Sequence, residues 1–489
     1  MTFRAFTSSP SPSQPLKSNV VSFWGLVSQS VAGMAPTCDV VAFMTAGAAF
    51  ALVALPLSFL AAFLLMFIEV NTIYHLTKHR ASAGGYYSFV ASGLGAPAAL
   101  ITGFMVAFYQ VLSIAAIPVY VGGVFLPGLA RQIGWNLPHG FWMLSVLLFI
   151  GIPWLLSVAG IRPSIRVIAL TSLLEIGFLI GSAVWIIHSA APTHLWEPFS
   201  WQSVGIKGVA MGMIFAITSF IGVGSHTPLG EEARGVQTQN GRVIGKAALV
   251  SLTLVGLALT LSAYALTVGW GMNDMKAFAQ NGAPGVVVFL KYLGPVGAVA
   301  LVVLAINSAL ADGLALLNSS ARVLYAIGRD ALIHTRFAHV NGRSAPSQSV
   351  LFLGALALIL AIVFGWLLGP TNAFNVMTTA VLFGLVTAHT LMNIALMRLP
   401  RGHDRWLSAL IFHILLPIIA TILFWIVLYE SVFPISYPLY WSPLLWLGVM
   451  IPAVWYALHK SQNINSDQGR ALGLPADVSN PKISQNDGC

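Results

Sequence analysis

A chain of 489 residues that is 57% hydrophobic and 8% charged is no ordinary soluble protein, in which roughly a quarter of residues are charged. Its apolar runs reach the roughly 20 residues that cross hydrocarbon, and they are continuous, which excludes a β-barrel of alternating ten-residue strands. The net charge of +9 does not mark a nucleic-acid partner: of the 23 Lys and Arg, only Arg131, Lys207, Lys276 and Lys291 fall on the outer side once the spans are threaded, which is the positive-inside pattern.

The expected class is an all-α polytopic membrane protein of about twelve transmembrane helices, multi-pass in the cell membrane with both termini cytoplasmic. Residues 1–19 read as a disordered cytoplasmic tail, Pro- and Ser-rich, without a cleavable signal pattern before Val20. The spans fall at 20–47, 51–77, 96–127, 141–160, 165–189, 204–231, 243–271, 285–327, 348–369, 372–397, 407–430 and 438–458. Residues 459–489 form a second polar tail. Cys38 lies inside span one and Cys489 at the last position, a pair not expected to form a structural disulfide.

Span one carries Val27-Ser-Gln-Ser-Val-Ala-Gly-Met-Ala-Pro-Thr-Cys-Asp39, with small and polar residues at mid-depth and weak helix points at Gly33 and Pro36. Span two contributes Glu69, near an inner end and expected to be structural. Span three holds Tyr109 and Tyr120, candidate gates.

Span five places Thr171, Glu175 and Ser182, with Ser164 before them, on one helical face. Ionisable residues inside spans are costly and face protein or an aqueous path, so Glu175 is a candidate carrier of a coupling proton, or else a hydrogen-bond partner for a neighbouring helix.

Span six reads Ile217-Thr-Ser-Phe-Ile-Gly-Val-Gly-Ser-His-Thr-Pro-Leu-Gly-Glu-Glu-Ala-Arg234. Gly222, Gly224 and Pro228 weaken or block regular helix in a segment that crosses lipid. A span broken at mid-depth survives only inside protein or along a cavity, and so marks a candidate binding site. Phe215 and Phe220 are further gate candidates. His226 is expected to be a satisfied polar residue. Glu231, Glu232 and Arg234 read either as intracellular gate partners or as a solvated helix end.

Span eight sets Ser308, Asp312, Ala315, Ser319 and Arg322 on one face. Asp312 is expected to pair with a basic group or to face the aqueous path. Asp39, just after the break in span one, is a candidate cation ligand or helix cap. Trp366 in span nine is a last gate candidate.

Two broken helices five spans apart, opposite in direction, predict two inverted five-helix repeats, residues 20–190 and 204–397, with residues 407–458 as two peripheral helices. Half-helix ends at the membrane centre offer free N–H groups to a carboxylate and free carbonyls to an ammonium. Val31, Ala32, Gly33, Met34 and Ala35 would line the first break; Phe220, Ile221, Gly222, Val223 and Gly224 the second. The combination suits an amino acid or amine. The alternative for the glycines is tight helix packing. No metal-site spacing, phosphate-binding loop or nucleophile–base pattern occurs, so neither an enzyme nor a cofactor is expected.

Three stretches are similar to the amino acid–polyamine–organocation superfamily of secondary transporters. They are Phe220 to Ala233, Ala321-Arg-Val-Leu-Tyr-Ala-Ile-Gly-Arg-Asp330 with Phe337 to Asn341 and Ala345-Pro346, and Ser82-Ala-Gly-Gly-Tyr-Tyr-Ser88. The similarity runs over roughly residues 20 to 400. It implies a leucine-transporter-type 5+5 inverted repeat with discontinuous helices one and six, and backbone atoms at both breaks that hold the substrate's carboxylate and amine. Some proton-coupled relatives have a lysine near Glu175, and some exchangers of cationic substrates have an acid where Gly224 stands. The second departure favours small or neutral amino acids. The expected activity is alternating-access permeation, proton symport first and exchange second. Ethanolamine, a polyamine or 4-aminobutyrate is the alternative cargo, and a channel or transporter-like sensor the alternative class.

Overall fold

The computed structural model describes residues 16–236, 241–400 and 406–461, except the side chains of residues 162–164, 166, 167, 169, 431 and 461. Most of both expected tails, Cys489 and the Ser164 side chain lie outside the described residues. The residues just ahead of span one are held: Leu16 is buried, and the Asn19 carbonyl accepts from Arg234 Nε at 3.0 Å.

Among the described residues eleven helical stretches are long and apolar enough to cross a membrane. This is one fewer than the twelve expected. The first part of span one, Phe23–Gly33, has 11 residues, too few to cross alone. Its second part, Pro36–Val41 and Phe43–Ala51, turns at Leu52 (φ 46) straight into span two, Leu55–His79, so that Phe43–His79 forms one apolar stretch.

The remaining spans follow the sequence pattern. Span three is Tyr86–Tyr120, extended by a π turn to Leu126–Gln132. Spans four and five are Phe141–Val158 and Ile161–Ala190. Span six is α-helical only over Gly205–Thr218. Span seven is Arg242–Trp270, eight Pro284–Arg329, nine Ser347–Leu368 and ten Pro370–Arg398. Spans eleven and twelve run over 406–432 and 441–461.

Spans three and eight each contain an elbow. Gly95 adopts φ 79, ψ −173 and Gly294 φ 70, ψ −172, each with a proline close behind, Pro97 and Pro295. Only glycine takes this backbone region readily, and the following proline has no N–H to lose from a helix. The elbows explain why these two spans exceed a simple crossing. They also place the same device in helices five apart.

Spans three, six and ten are the most buried of the crossing stretches, the first part of span one is buried from Gly25 to Gly33, and span eight is buried mainly in its second half, from Ser308 on. Spans three and ten form an extensive interface, as do two and seven. Leu170, Leu174, Val299, Val303, Trp366 and Ile451 are exposed, as side chains facing lipid should be. Trp366, 72% exposed, is therefore on the outer surface of the bundle and cannot gate a path through it. The segments around residues 21, 83, 233 and 329 meet at one end of the bundle, referred to below as the basic face.

Candidate functional site

The span-one helix stops where Ala35 turns left-handed (φ 41, ψ 53) and Pro36 starts the next helix without an N–H. Span six comes apart differently. After Thr218 it does not resume as α-helix but continues as 3-10 turns, Ile221–Gly224 and Thr227–Leu229. Neither Gly222 nor Gly224 has a positive φ, so their contribution is the room that a missing side chain leaves, and Pro228 opens the second turn without an N–H. An α-helical second half was the expectation.

The ten residues expected to line the breaks are all buried: Val31, Ala32, Gly33, Met34 and Ala35, with Phe220, Ile221, Gly222, Val223 and Gly224. The breaks touch. A Cβ on Gly33 would stand 2.9 Å from Ser225 Oγ and 3.2 Å from Gly222 Cα, and one on Gly222 would collide with the Gly33 main chain. Hydroxyls bind them together. Ser30 Oγ donates to the Val223 carbonyl at 3.0 Å, Ser225 Oγ to the Gln29 carbonyl at 3.0 Å, and Ser251 Oγ of span seven lies 2.7 Å from Ser30 Oγ. Tight packing, the alternative considered for these glycines, is thus what Gly33 and Gly222 provide. Gly224 instead faces the Tyr86 hydroxyl, which a Cβ there would strike.

Behind the first break three carboxyls gather from three spans. Asp39 is 1% exposed, Glu175 2% and Asp312 1%. Asp39 lies within electrostatic range of the other two, and the Cys38 thiol senses all three. Glu175 Oε1 accepts from Asn307 Nδ2 at 2.7 Å, and Thr37, at the start of the Pro36–Val41 helix, borders the same carboxyl. The helix end expected to receive a substrate carboxylate thus already has a carboxyl of the protein beside it. Both Asp312 oxygens and Asp39 Oδ2 lack a hydrogen-bond partner. The basic partner expected for Asp312 is not there. The one fully buried Lys or Arg among the described residues is Arg322, ten residues on, about 15 Å along the helix, and it is paired elsewhere.

On one side of this layer sits an aromatic cluster. Phe374 of span ten contacts Phe43 at 5.1 Å between ring centroids, Tyr120 at 4.6 Å and Phe215 at 6.2 Å, while Phe50 stacks on Phe215 at 5.9 Å. Two expected gate residues, Tyr120 and Phe215, belong to it. Phe220 packs on Phe63 and Tyr109 is buried in span three.

The basic face closes the other side with ion pairs. Arg322 bridges Glu232 through Nε and, at 3.1 Å, through Nη2, and also donates to the Asn318 carbonyl at 2.8 Å. Glu231 takes Arg329 Nη1 at 2.9 Å and the Ala83 N–H at 3.1 Å. Tyr87 donates to Asp330 Oδ2 at 2.8 Å. Burial pushes the Asp330 carboxyl up, and the Tyr87 bond and Arg329 oppose that shift. Glu232 is 0% exposed, so the solvated helix end considered for this segment is replaced by a buried pair. The chain ahead of span one is held here as well, with Val20 and Val21 N–H donating to the Glu232 carbonyl at 2.8 and 3.0 Å. All three motifs that carried the resemblance, Ser82–Ser88, Phe220–Ala233 and Ala321–Asp330, converge on this network. His226 Nε2 lies 2.9 Å from the Ile244 carbonyl, but its Nδ1 is buried without a hydrogen-bond partner, so the satisfied polar residue expected here is satisfied at one nitrogen only.

Sequence comparisons give the family context for this geometry. The family model described as "Amino acid permease" matches residues 25–456. The chain is 22% identical over 330 residues to the low-affinity putrescine importer PlaP of Escherichia coli K12, covering 65% of this chain and 68% of that protein. It is 23% identical over 277 residues to the arginine/ornithine antiporter ArcD2 of Lactococcus lactis subsp. cremoris, covering 50% of this chain and 54% of that one.

Proposed function

Because the chain belongs to the amino acid permease family, we propose that it is a secondary-active carrier of cationic amines, diamines or basic amino acids, working by alternating access across the cell membrane with both termini cytoplasmic. The observation that carries the substrate class is the trio Asp39, Glu175 and Asp312, buried together with no buried Lys or Arg among them. Such charges in a membrane interior demand neutralisation. A substrate ammonium or a proton can supply it.

Neutral amino acids were the first expectation, from the absence of an acid at Gly224. That argument loses force because Gly224 packs on Tyr86. The cationic cargoes named for the two relatives agree with the acidic centre. Closure by aromatic rings on one side and ion pairs on the other supports a carrier over a channel, which needs a continuous path. The repeated elbows at Gly95 and Gly294 support the 5+5 repeat, and spans one and six, meeting at its centre, are where such a repeat holds its solute.

Cation and proton compete for one set of carboxyls in this reading. Half-saturation for a diamine should therefore fall as pH rises, and Glu175→Gln should flatten that dependence. A variant with the wild-type dependence removes Glu175 from the role. Asp312→Asn should raise half-saturation for a diamine by about tenfold or more, equivalent to about 1.4 kcal/mol, with less effect on a neutral amino acid. The deciding experiment is counterflow in proteoliposomes, with 1,4-diaminobutane, ornithine and alanine compared. Trans-acceleration by alanine alone would return the neutral reading, and non-saturating current would indicate a channel.

A further inference from the structure

Glu69 of span two is 0% exposed and takes no part in the centre described above. Both its oxygens are held from span ten. His389 Nδ1 lies 2.7 Å from Oε1, and Asn393 Nδ2 donates to Oε2 at 2.9 Å. Asn393 is fixed in turn: Thr72 Oγ1 donates to its Oδ1 at 2.5 Å, and its Nδ2 also reaches Thr421 Oγ1 of span eleven at 3.0 Å. The amide can only donate here. His389 is the partner whose proton number can change.

A carboxylate–imidazole couple has net charge −1 without an added proton and zero with it. A hydrogen-bonded link between two spans needs no ionisable groups, and a buried ion pair is often no more stable than an apolar replacement. An ionisable couple placed inside a membrane points to function.

Tyr86 joins this couple to the break in span six. Its ring stands edge-on to His389 with centroids 5.4 Å apart, and Glu69 acts on it electrostatically. Its hydroxyl is buried without a hydrogen-bond partner and lies against Gly224. A buried hydroxyl without a partner is unfavourable, so an alternative position that satisfies it is favoured once space opens.

We propose that the Glu69–His389 couple binds a proton during transport and that Tyr86 ties its occupancy to the position of span six. When the segment Ile221–Gly224 moves, the Tyr86 hydroxyl turns from Gly224 and donates to Glu69. The bond from His389 Nδ1 is broken, and the imidazolium passes its proton to water on the side then open. This site is separate from the central carboxyls, where substrate and proton compete. It provides a place for a proton while a cation occupies the centre.

Ionisable groups also stand on the elements packed against the couple; span twelve, against span ten, has Tyr456 bonded to the Leu332 carbonyl and His459 stacked on Trp455. Span three presents Tyr86 and, acting on it, Tyr109. Span six presents His226, held at the Ile244 carbonyl. Span eleven presents His413, whose ring lies 4.4 Å from that of His75 on span two itself. Span seven has Arg242 and Lys246 exposed at the basic face and Tyr264 bonded to the Leu195 carbonyl.

The proposal rests on the carrier reading, but its first test needs no substrate. Protons bound by the detergent-solubilised full chain are counted at the acid and alkaline ends of the pH range in which it is stable. Wild type should release about one proton more than the double variant Glu69→Gln, His389→Gln, which keeps neither titratable member of the couple. Equal release overturns the proposal. In proteoliposomes, Glu69→Gln should lose acceleration by a proton gradient at least tenfold more than it loses counterflow; equal losses also overturn it. If neither variant folds, Tyr86→Phe decides, since it removes one oxygen. It should shift the pH profile of counterflow, and an unshifted profile rejects the link. Wild-type protein without counterflow of any amine would sink the carrier reading and leave the proton count to judge the couple.

Discussion

Gly222→Val should lower uptake by at least about a hundredfold while the protein still reaches the membrane. A Cβ at this position lands on the main chain of Gly33, and main chain cannot swing aside as a side-chain end can. Overpacking a core typically costs about 1–3 kcal/mol. Here the strain falls on the contact between the two breaks, through which Ser30 and Ser225 tie spans one and six together. A shift of about 2.7 kcal/mol in the barrier is already a hundredfold in rate. Uptake is measured beside the amount of protein at the membrane. Wild-type rates in Gly222→Val would mean that the breaks separate freely and that their contact is incidental. Gly224→Ala is an internal comparison, because its Cβ meets the Tyr86 side chain, which can turn.

The second large effect is on stability. Arg322→Ala strands Glu232 in a site where both partners are almost unexposed, 1% and 0%. Removing one member of such a pair costs about 3–5 kcal/mol. Arg329→Ala, about two turns further along the same helical face, removes a pair that is about a third exposed at both ends, and solvent leaves that worth about 0–1 kcal/mol. Thermal unfolding in detergent should therefore fall sharply for the first variant and little for the second. The double variant Glu232→Gln, Arg322→Met should recover part of the loss, since no charge is left unpaired. Equal, small shifts for both single variants would show that water reaches Arg322.

Much of this was legible in the sequence, and the failures have physical causes. Both interruptions could be read because Gly and Pro act locally, through backbone angles and a missing N–H. The form of the second could not: whether a helix resumes beyond Gly224 depends on what packs against it. Asp39, Glu175 and Asp312 each stood out as ionisable residues in apolar runs, but their meeting is a tertiary fact, carried by three helices far apart in the chain. Glu69 was read as structural near an inner end, and its bonds to His389 and Asn393 fit that reading as well; what the sequence did not offer was the partner. Its partner His389 lies 320 positions away, and nothing local announces it. Glu232 offered a usable signal that was passed over. Arg322 lies on the buried face of Ser308, Asp312, Ala315 and Ser319, and an arginine on such a face requires an acid opposite. Trp366 illustrates the reverse error. A large aromatic in a span was taken for a gate, whereas its helix presents it to lipid.

The matching elbows at Gly95 and Gly294 bear on direction. In the proposed carrier the two repeats would share one joint, so that these positions would impose no direction and the gradients around the molecule would decide whether it fills a compartment or drains it.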